Sequence, residues 1–316
     1  MNLQTQIPLQ KQSHHQIDYN SKLLLLGSCF SENIGNKLGY FKFQSTQNPF
    51  GILFQPKAIE QLITNSINEK EYTEVDIFNH NEIWSCFDAH SALSSINKNE
   101  LLEGLNSAIK ATHQQLKNTS HIIITLGTSW VYRFIETDIL VANCHKIPQK
   151  KFLKEILSVD EITESLTSTI ALIRSINTNA SIILTVSPVR HIKDGFIENQ
   201  QSKAHLLSAI HQVVEPRKNV HYFPSYEIMM DELRDYRFYA DDMIHPSEVA
   251  INYIWEKFTE AWLSDTSKEI MKEVDTIQKG LAHRPFNPNT EQHQQFLKNL
   301  QQKKETLQQA FPFIQF

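Results

Sequence analysis

Two short stretches near opposite ends of the chain carry residue types that together could perform nucleophilic catalysis. The stretch "LLLLGSCFSENIG" (23–35) runs from an apolar segment directly into Ser28 and Cys29, which attack carbonyl carbons when a base activates them. The stretch "DDMIHPS" (241–247) contains His245 behind two carboxylates. A nucleophile, a histidine base and an orienting carboxylate are related by geometry and need no fixed order in the chain. These residues therefore predict acyl-transfer chemistry.

The spacing within "DDMIHPS" favours Asp242 as the partner of His245. A carboxylate three residues before a histidine can reach Nδ1 within one turn, where it fixes the tautomer and stabilises the imidazolium. Asp241 lies four residues before His245 and is the weaker candidate. The alternative is that either carboxylate only caps a turn and that His245 has no catalytic role.

Ser28 is the predicted nucleophile because it stands between an apolar strand and a helix. A helix N-terminus offers free N–H groups and a positive potential to a developing oxyanion. Cys29 is expected to pack in the interior as a small apolar group. In the alternative, Cys29 attacks and Ser28 is a spacer.

The elements that must position these residues form an alternating pattern. Continuous apolar segments predict buried strands at 23–26, 121–125, 181–186 and 220–223. Helical periods predict a helix after Ser31, its expected N-cap, and further helices at 57–68, 98–117, 160–176, 202–214 and 247–263. Residues 71–77 and 82–88 predict a strand pair. Apolar strands between amphipathic helices indicate an α/β protein whose parallel sheet is covered on both faces.

Ligands of such sheets collect at the carboxyl ends of the strands. "GSCFS" (27–31), "GTSW" (127–130), "SPVRH" (187–191) and "DDMIHPS" follow predicted strands or helices, and "NPFG" (48–51) lies between the first two helices. Gly27, Gly51 and Gly127 are three of only eight glycines, and each begins or ends one of these stretches. We therefore expect site residues in these stretches; the alternative is that each glycine only serves an ordinary turn.

The composition changes from about residue 265, where Lys, Gln and Glu become frequent around a break at "RPFNPNT" (284–290). This change predicts an α/β domain over 1–264 and a helical extension over 265–316. The terminal "AFPFIQF" is apolar and is expected to dock on the body or on a second subunit, which would make the protein a homo-oligomer through its C-terminal helices.

Length, charge and cysteine content exclude several classes of protein. A net charge of −5 on 316 residues, without a basic stripe, argues against a nucleic-acid partner. No apolar run approaches the ~18 residues of a membrane span, and the N-terminus lacks a secretory pattern, so a cytoplasmic location is expected. Three cysteines and the absence of an HExxH motif predict neither a disulfide framework nor a metal site.

The quoted motifs resemble those of the GSCFA family. "GSCFS", "NPFG", "TLGTSWVY", "CHKIP" and "DDMIHPS" occur in the order expected of that family, over about residues 20 to 262. The family is similar to the SGNH (GDSL-like) hydrolases, so the resemblance implies a flavodoxin-like three-layer α/β/α fold. It also implies a catalytic triad in which Ser28 matches the nucleophile and Asp242 and His245 match the Asp-x-x-His block.

The resemblance further implies an oxyanion hole built from the nucleophile's N–H, a glycine N–H and an asparagine side chain. Ser28 supplies the first, and Gly51 of "NPFG" matches the second. The third block departs from the expected Gly-x-Asn-Asp, since Ser129 stands where the asparagine should be. Ser129 or Asn48 is the candidate for the third donor. Trp130, His145, Arg190 and His191 are candidate substrate-binding residues, and their alternative is a structural role in turns or on the surface.

The sequence thus predicts a serine esterase that releases small acyl groups, such as acetyl, from a saccharide or similar ester without a metal or organic cofactor. An acyltransferase would use the same triad, since an alcohol can replace water. A carbohydrate-binding or scaffold protein on this fold is the non-catalytic alternative.

Overall fold

A computed structural model describes residues 5–316 of the chain. Its strands are, in chain order, β1 (Lys22–Gly27), β2 (Gln44–Gln47), β3 (Phe78–His80), β4 (Ile83–Ser85), β5 (His121–Leu126), β6 (Trp130–Phe134), β7 (Ile139–Val141), β8 (Phe152–Ile156), β9 (Ser181–Val186) and β10 (Val220–Phe223). Its α-helices are α1 (Cys29–Tyr40), α2 (Pro56–Ile67), α3 (Lys98–Asn118), α4 (Val159–Ile176), α5 (Phe196–Val213), the single turn α6 (Ser225–Glu227), α7 (Glu248–Trp262), α8 (Asp265–Ala282) and α9 (Glu291–Ala310).

The central sheet has five strands, ordered β10-β9-β5-β1-β2, and every neighbouring pair is parallel. Counted along the chain, this is the order 2-1-3-4-5 of flavodoxin-like folds. The apolar strands β1, β5 and β9 occupy the middle, where both faces are buried. The predicted α/β fold with a parallel sheet is therefore confirmed.

Alternate residues of β1 pack in two separate hydrophobic cores, because successive side chains of a strand point to opposite faces of the sheet. Leu24 and Leu26 pack in the core formed with α2, α3, α4 and α5. Leu23 and Leu25 pack on the other face with α1, α7, α8 and α9. The helices thus form a layer on each side of the sheet.

Two small antiparallel sheets surround the central one. β3 and β4 form a hairpin, and its two turn residues, Asn81 and Glu82, both have positive φ. The predicted strand at 71–77 is wrong, because residues 74–76 form a 3-10 turn and the first hairpin strand starts at Phe78. The strands β6, β7 and β8 form the other sheet, which follows β5 directly.

The C-terminal helices are part of the core. Ile277 of α8, Leu300 of α9 and the terminal Ile314 are buried in the same cluster as Leu25 of β1. The predicted docking of "AFPFIQF" on the body is present, since the Phe311 ring lies 5.3 Å from that of Tyr19. The division into domains at residue 264 and the self-association through these helices stay predictions. None of the helices within residues 5–316 has the length and apolar character to cross a membrane.

Candidate active site

Ser28 lies where β1 ends and α1 begins, at the carboxyl edge of the sheet. Its hydroxyl accepts a hydrogen bond from the Phe30 N–H at 3.2 Å, so Ser28 is the N-cap of α1. The prediction of Ser31 as the cap is wrong, because the Ser31 hydroxyl donates back to the Leu26 carbonyl at 3.1 Å. Ser28 is only 1% exposed.

Gly27 makes this sharp junction between strand and helix feasible. Its φ is +132°, and a Cβ at this position would clash with the Thr125 carbonyl oxygen of the neighbouring strand. The Ser28 N–H donates to that same oxygen at 3.0 Å. A glycine is therefore required before Ser28 by both backbone conformation and close packing.

His245 and Asp242 form the predicted pair. His245 Nδ1 lies 2.7 Å from Asp242 Oδ2, while Asp242 Oδ1 accepts the backbone N–H groups of His245 at 2.9 Å and Ile244 at 2.8 Å. The His245 backbone N–H, the His245 side chain and the Ile244 N–H together lower the pKa of Asp242 to about 2. The carboxylate therefore stays ionised and fixes the histidine ring, although the catalytic role of the pair stays a prediction.

Two contacts place the loop of Asp242 and His245 near the carboxyl edge of the central sheet. The Arg190 N–H, four residues beyond β9, donates to the Ile244 carbonyl at 3.1 Å. The next residue, His191, lies against the residue that follows β5, because a Cβ built on Gly127 would be 3.0 Å from His191 Nε2. Within residues 5–316, however, no hydrogen bond joins Ser28 to His245, whose side chain is 47% exposed.

The predicted oxyanion donors are mostly engaged elsewhere. The Gly51 N–H donates to the Asn48 carbonyl at 2.7 Å, a bond that the Asn-Pro-x-Gly pattern itself signals as a β-turn. Ser129 is fully buried, and its hydroxyl donates to the Ser202 carbonyl at 3.3 Å. The Ser28 N–H is bound to Thr125, as described. The Gly51 N–H, the Ser129 hydroxyl and the Ser28 N–H are thus bonded within the protein and are not free to hold an oxyanion.

Asn48 differs from the other three candidates. Its Oδ1 accepts the Gly27 N–H at 2.9 Å, and its Nδ2 is buried without a partner among the described residues. Because Gly27 directly precedes Ser28, this bond fixes the amide beside the candidate nucleophile. Asn48 is thus the free side-chain donor at this position.

The four candidate substrate-binding residues divide into two groups. Arg190 and His191 lie beside the loop of His245, as described. His145 instead points into a buried turn, where its Nε2 lies 2.7 Å from the Cys86 carbonyl oxygen. The Trp130 indole donates to the Glu198 carbonyl at 3.2 Å, and its ring is covered by the Lys154 ammonium at 4.4 Å. His145 and Trp130 therefore both have structural contacts within the protein, and their role in substrate binding stays a prediction.

The environment of Cys29 does not favour a thiolate. Burial, together with the charge of Glu32, raises the pKa of its thiol above the ordinary value. Cys29, Cys86 and Cys144 are free thiols. Within residues 5–316, no group of three or more His, Cys, Asp and Glu side chains is arranged to hold a metal ion.

Lys203 is a feature that the sequence reasoning missed. This lysine of α5 is 1% exposed, and its ammonium donates to the carbonyl oxygens of Gly127 at 2.7 Å and Ser187 at 2.8 Å. The sequence does contain an indication of this burial, because Lys203 precedes the buried Leu206 and Ile210 by three and seven residues. That spacing places a lysine on the core-facing side of its helix.

Comparison with protein-family models gives two matches. The model described as "GSCFA family" matches residues 22–258, and that of "GSCFA domain protein, C-terminal domain" matches residues 274–316. The search of curated proteins found no significant match. Among solved structures, a Clostridium thermocellum family 3 carbohydrate esterase is 12% identical with a TM-score of 0.36, over 80% of this chain and 97% of that chain. This structural likeness is too weak to support a statement on fold or function.

Proposed function

The chain belongs to the GSCFA family, and we propose that it is a serine hydrolase that cleaves ester bonds, with Ser28, His245 and Asp242 as its triad. The observation that carries the proposal is the hydrogen bond between Asp242 and His245, on a loop that contacts Arg190 beyond the carboxyl end of β9, at the same edge of the sheet at which Ser28 follows β1. Because Asp242 is ionised and holds Nδ1, the opposite ring nitrogen, Nε2, is the one that can take up a proton.

In the reaction, His245 Nε2 takes the hydroxyl proton of Ser28 while Oγ attacks the ester carbonyl. The tetrahedral intermediate collapses to an acyl-Ser28, and the proton passes from His245 to the leaving alcohol. Water then repeats the sequence: His245 removes its proton, the hydroxide oxygen bonds to the acyl carbon, and the proton returns to Ser28 as the acid leaves. Asp242 stays ionised throughout and stabilises the imidazolium.

The negative oxygen of each intermediate needs donors near Ser28. Asn48 Nδ2 is the unpartnered donor there, and the N-terminus of α1 adds a positive potential. Ser129 and the Gly51 N–H have no part in this proposal, because each is bonded elsewhere.

The reaction also needs a local movement. Ser28 is buried and caps its helix, whereas His245 is half-exposed. A change of the Ser28 rotamer and a shift of the loop 241–247 towards β1 would bring the two side chains into contact, as catalytic hydrogen bonds often tighten only when substrate is bound.

We propose a small acyl group, of the size of acetyl, because the burial of Ser28 leaves little room beside its hydroxyl. A saccharide is proposed as the alcohol part. The Tyr236 ring is 68% exposed and lies 5.5 Å from the Arg190 guanidinium, beside the loop of His245. An exposed aromatic face next to hydrogen-bond donors suits a sugar ring, which has both apolar and polar surfaces.

A fluorophosphonate probe tests the proposal, since it phosphonylates an activated serine. The full chain should be labelled at Ser28, Ser28→Ala should not be labelled, and Ser31→Ala should be labelled like the wild type. Ser31 is a matched control because it is an equally buried serine of the same helix turn. With p-nitrophenyl esters, acetate should be cleaved faster than butyrate or octanoate. Labelling at Cys29, or full labelling of Ser28→Ala, would overturn the proposed triad.

A further inference from the structure

Lys203 is buried at the carboxyl edge of the central sheet, and no carboxylate neutralises its charge. Among the described residues, its ammonium donates to the carbonyl oxygens of Gly127 and Ser187, and no carboxylate lies within ion-pair distance. Lysine is rarely fully buried unless it is paired. A buried ammonium that is held only by neutral dipoles is therefore costly, and such groups are concentrated at functional sites.

The two acceptors of Lys203 define its place. Gly127 is the first residue after β5, and Ser187 is the first residue after β9. Both therefore lie at the carboxyl edge of the sheet, where β5 is the neighbour of β1 and its Ser28, and β9 is the next strand after β5. An ammonium has three N–H groups, and these two carbonyls take two of them.

We propose that Lys203 is a positioning residue of this site, which ties the ends of β5 and β9 together and, when protonated, places a positive charge near the N-terminus of α1, where the oxyanion would form. This inference rests on the proposed function. The Gly127 carbonyl that holds the ammonium lies two residues beyond Thr125, whose carbonyl accepts the Ser28 N–H, and the Lys203 charge acts to lower the pKa of Cys29, the first residue of α1. Its field therefore adds to that of the helix dipole at the same position.

Lys203 also affects the position and the pKa of His191. The Gly127 backbone, against which the His191 ring packs, is held by Lys203. Burial, the Lys203 charge and the His245 charge together lower the pKa of His191 to about 3. His191 thus stays neutral beside His245, and His245 is the imidazole that can carry the proton.

The groups around Lys203 determine how it titrates. Its charge acts on the pKa values of Cys29 of α1 and His191 of the loop after β9, while the Tyr226 ring of α6 lies 5.6 Å from its ammonium. Burial lowers the pKa of Lys203 to about 7, and the only charged form among these neighbours that would raise it is a Cys29 thiolate. We therefore expect the positive charge to be lost as the pH rises above neutrality.

The test is the rate at which a fluorophosphonate labels Ser28 between pH 5.5 and 9. The wild-type rate should fall above pH 7, and Lys203→Met should lower the maximal rate by about tenfold or more at neutral pH without this alkaline fall. Lys110→Met is the matched control, an exposed lysine in the middle of α3, and it should keep both the rate and the profile.

Lys203→Gln separates charge from hydrogen bonding, because its amide can still donate to a carbonyl. It should label as slowly as Lys203→Met, and wild-type labelling by this variant would overturn the inference. A wild-type profile without an alkaline fall would overturn it too, even if neither variant folds. If the wild type is not labelled at Ser28, the proposed function itself fails, which is a different result from equal labelling of wild type and variants.

Discussion

The side chain of Asn48 holds Gly27, the residue before Ser28, by accepting its N–H at Oδ1 over 2.9 Å, while the Nδ2 of the same amide has no partner among residues 5–316. One side chain thus combines a structural contact with an unused donor. The two functions can be separated by substitution, because a carboxylate keeps the acceptor and lacks the donor.

Asn48→Asp should lower ester hydrolysis by about 10²–10³-fold, the usual effect of losing an oxyanion donor. The fold should persist, since Asp also tolerates the left-handed φ of +42° at this position. Ser129→Ala is the comparison, and its activity should stay within a few-fold of wild type because the Ser129 hydroxyl is bonded to Ser202. A larger loss in Ser129→Ala than in Asn48→Asp would reverse this assignment.

Asp242→Asn should lower turnover by about 10⁴-fold, because the histidine would no longer be held in the productive tautomer. Asp241→Asn changes the adjacent carboxylate and should have little effect. Turnover of p-nitrophenyl acetate by the two purified variants gives the comparison. Equal activities would contradict the pairing of Asp242 with His245.

Gly27→Ala should prevent stable folding, since the new methyl group meets the Thr125 carbonyl and the φ of +132° is strained for alanine. Gly39→Ala is the matched control on α1, where a Cβ meets nothing within 4 Å. That variant should gain up to about 1 kcal/mol in helix stability. Thermal unfolding followed by circular dichroism measures both changes. A Gly27→Ala protein as stable as the wild type would show that the junction between β1 and α1 does not have the conformation described here.

The buried ammonium of Lys203 predicts a pH dependence of stability. Its pKa is about 7 in the folded protein and ordinarily 10.5, so between these values the unfolded chain binds a proton that the folded chain lacks. The free energy of unfolding should therefore rise with pH in this window, by about 2 kcal/mol from pH 7 to 9. Denaturant unfolding at both pH values should show that rise in wild type and not in Lys203→Met. The same slope in both proteins would assign the rise to other groups.

Ile277→Ala should destabilise the whole protein by about 2–5 kcal/mol, because Ile277 is 1% exposed in the core that contains β1. Leu281→Ala, one turn later on α8, removes a side chain that is 45% exposed and should cost far less. Both effects appear in denaturant unfolding followed by tryptophan fluorescence. If Ile277→Ala shows a separate unfolding transition at lower denaturant concentration, α8 and α9 unfold independently of the α/β body.

The central strands were predictable because their composition leaves no alternative. Segments such as "HIIIT" at β5 have three consecutive β-branched apolar residues, which is typical of a short strand buried on both faces. β2, with the sequence "QSTQ", has no such signal. It lies at the edge of the sheet and forms because β1 offers it a parallel partner, a contact between segments that local sequence does not encode.

The candidate site was predictable only where its geometry is local. The Asp242–His245 pair spans three residues, so the spacing in the sequence was enough to predict the contact. The bonds that occupy the Ser28 N–H and the Ser129 hydroxyl come from Thr125 and Ser202, which lie 97 and 73 residues away in the chain. Which donors stay free therefore depends on tertiary packing.

The shared core of β1 and the C-terminal helices has a consequence for how the protein is made. The core that contains Leu23 and Leu25 also includes Val274, Leu300 and Ile314, which are synthesised about 250–290 residues after β1. At 5–20 residues per second, Ile314 is synthesised about 14–57 seconds after β1. The part of this core that α8 and α9 complete thus stays open until the end of translation, and we expect a product that stops after α7 to expose apolar surface.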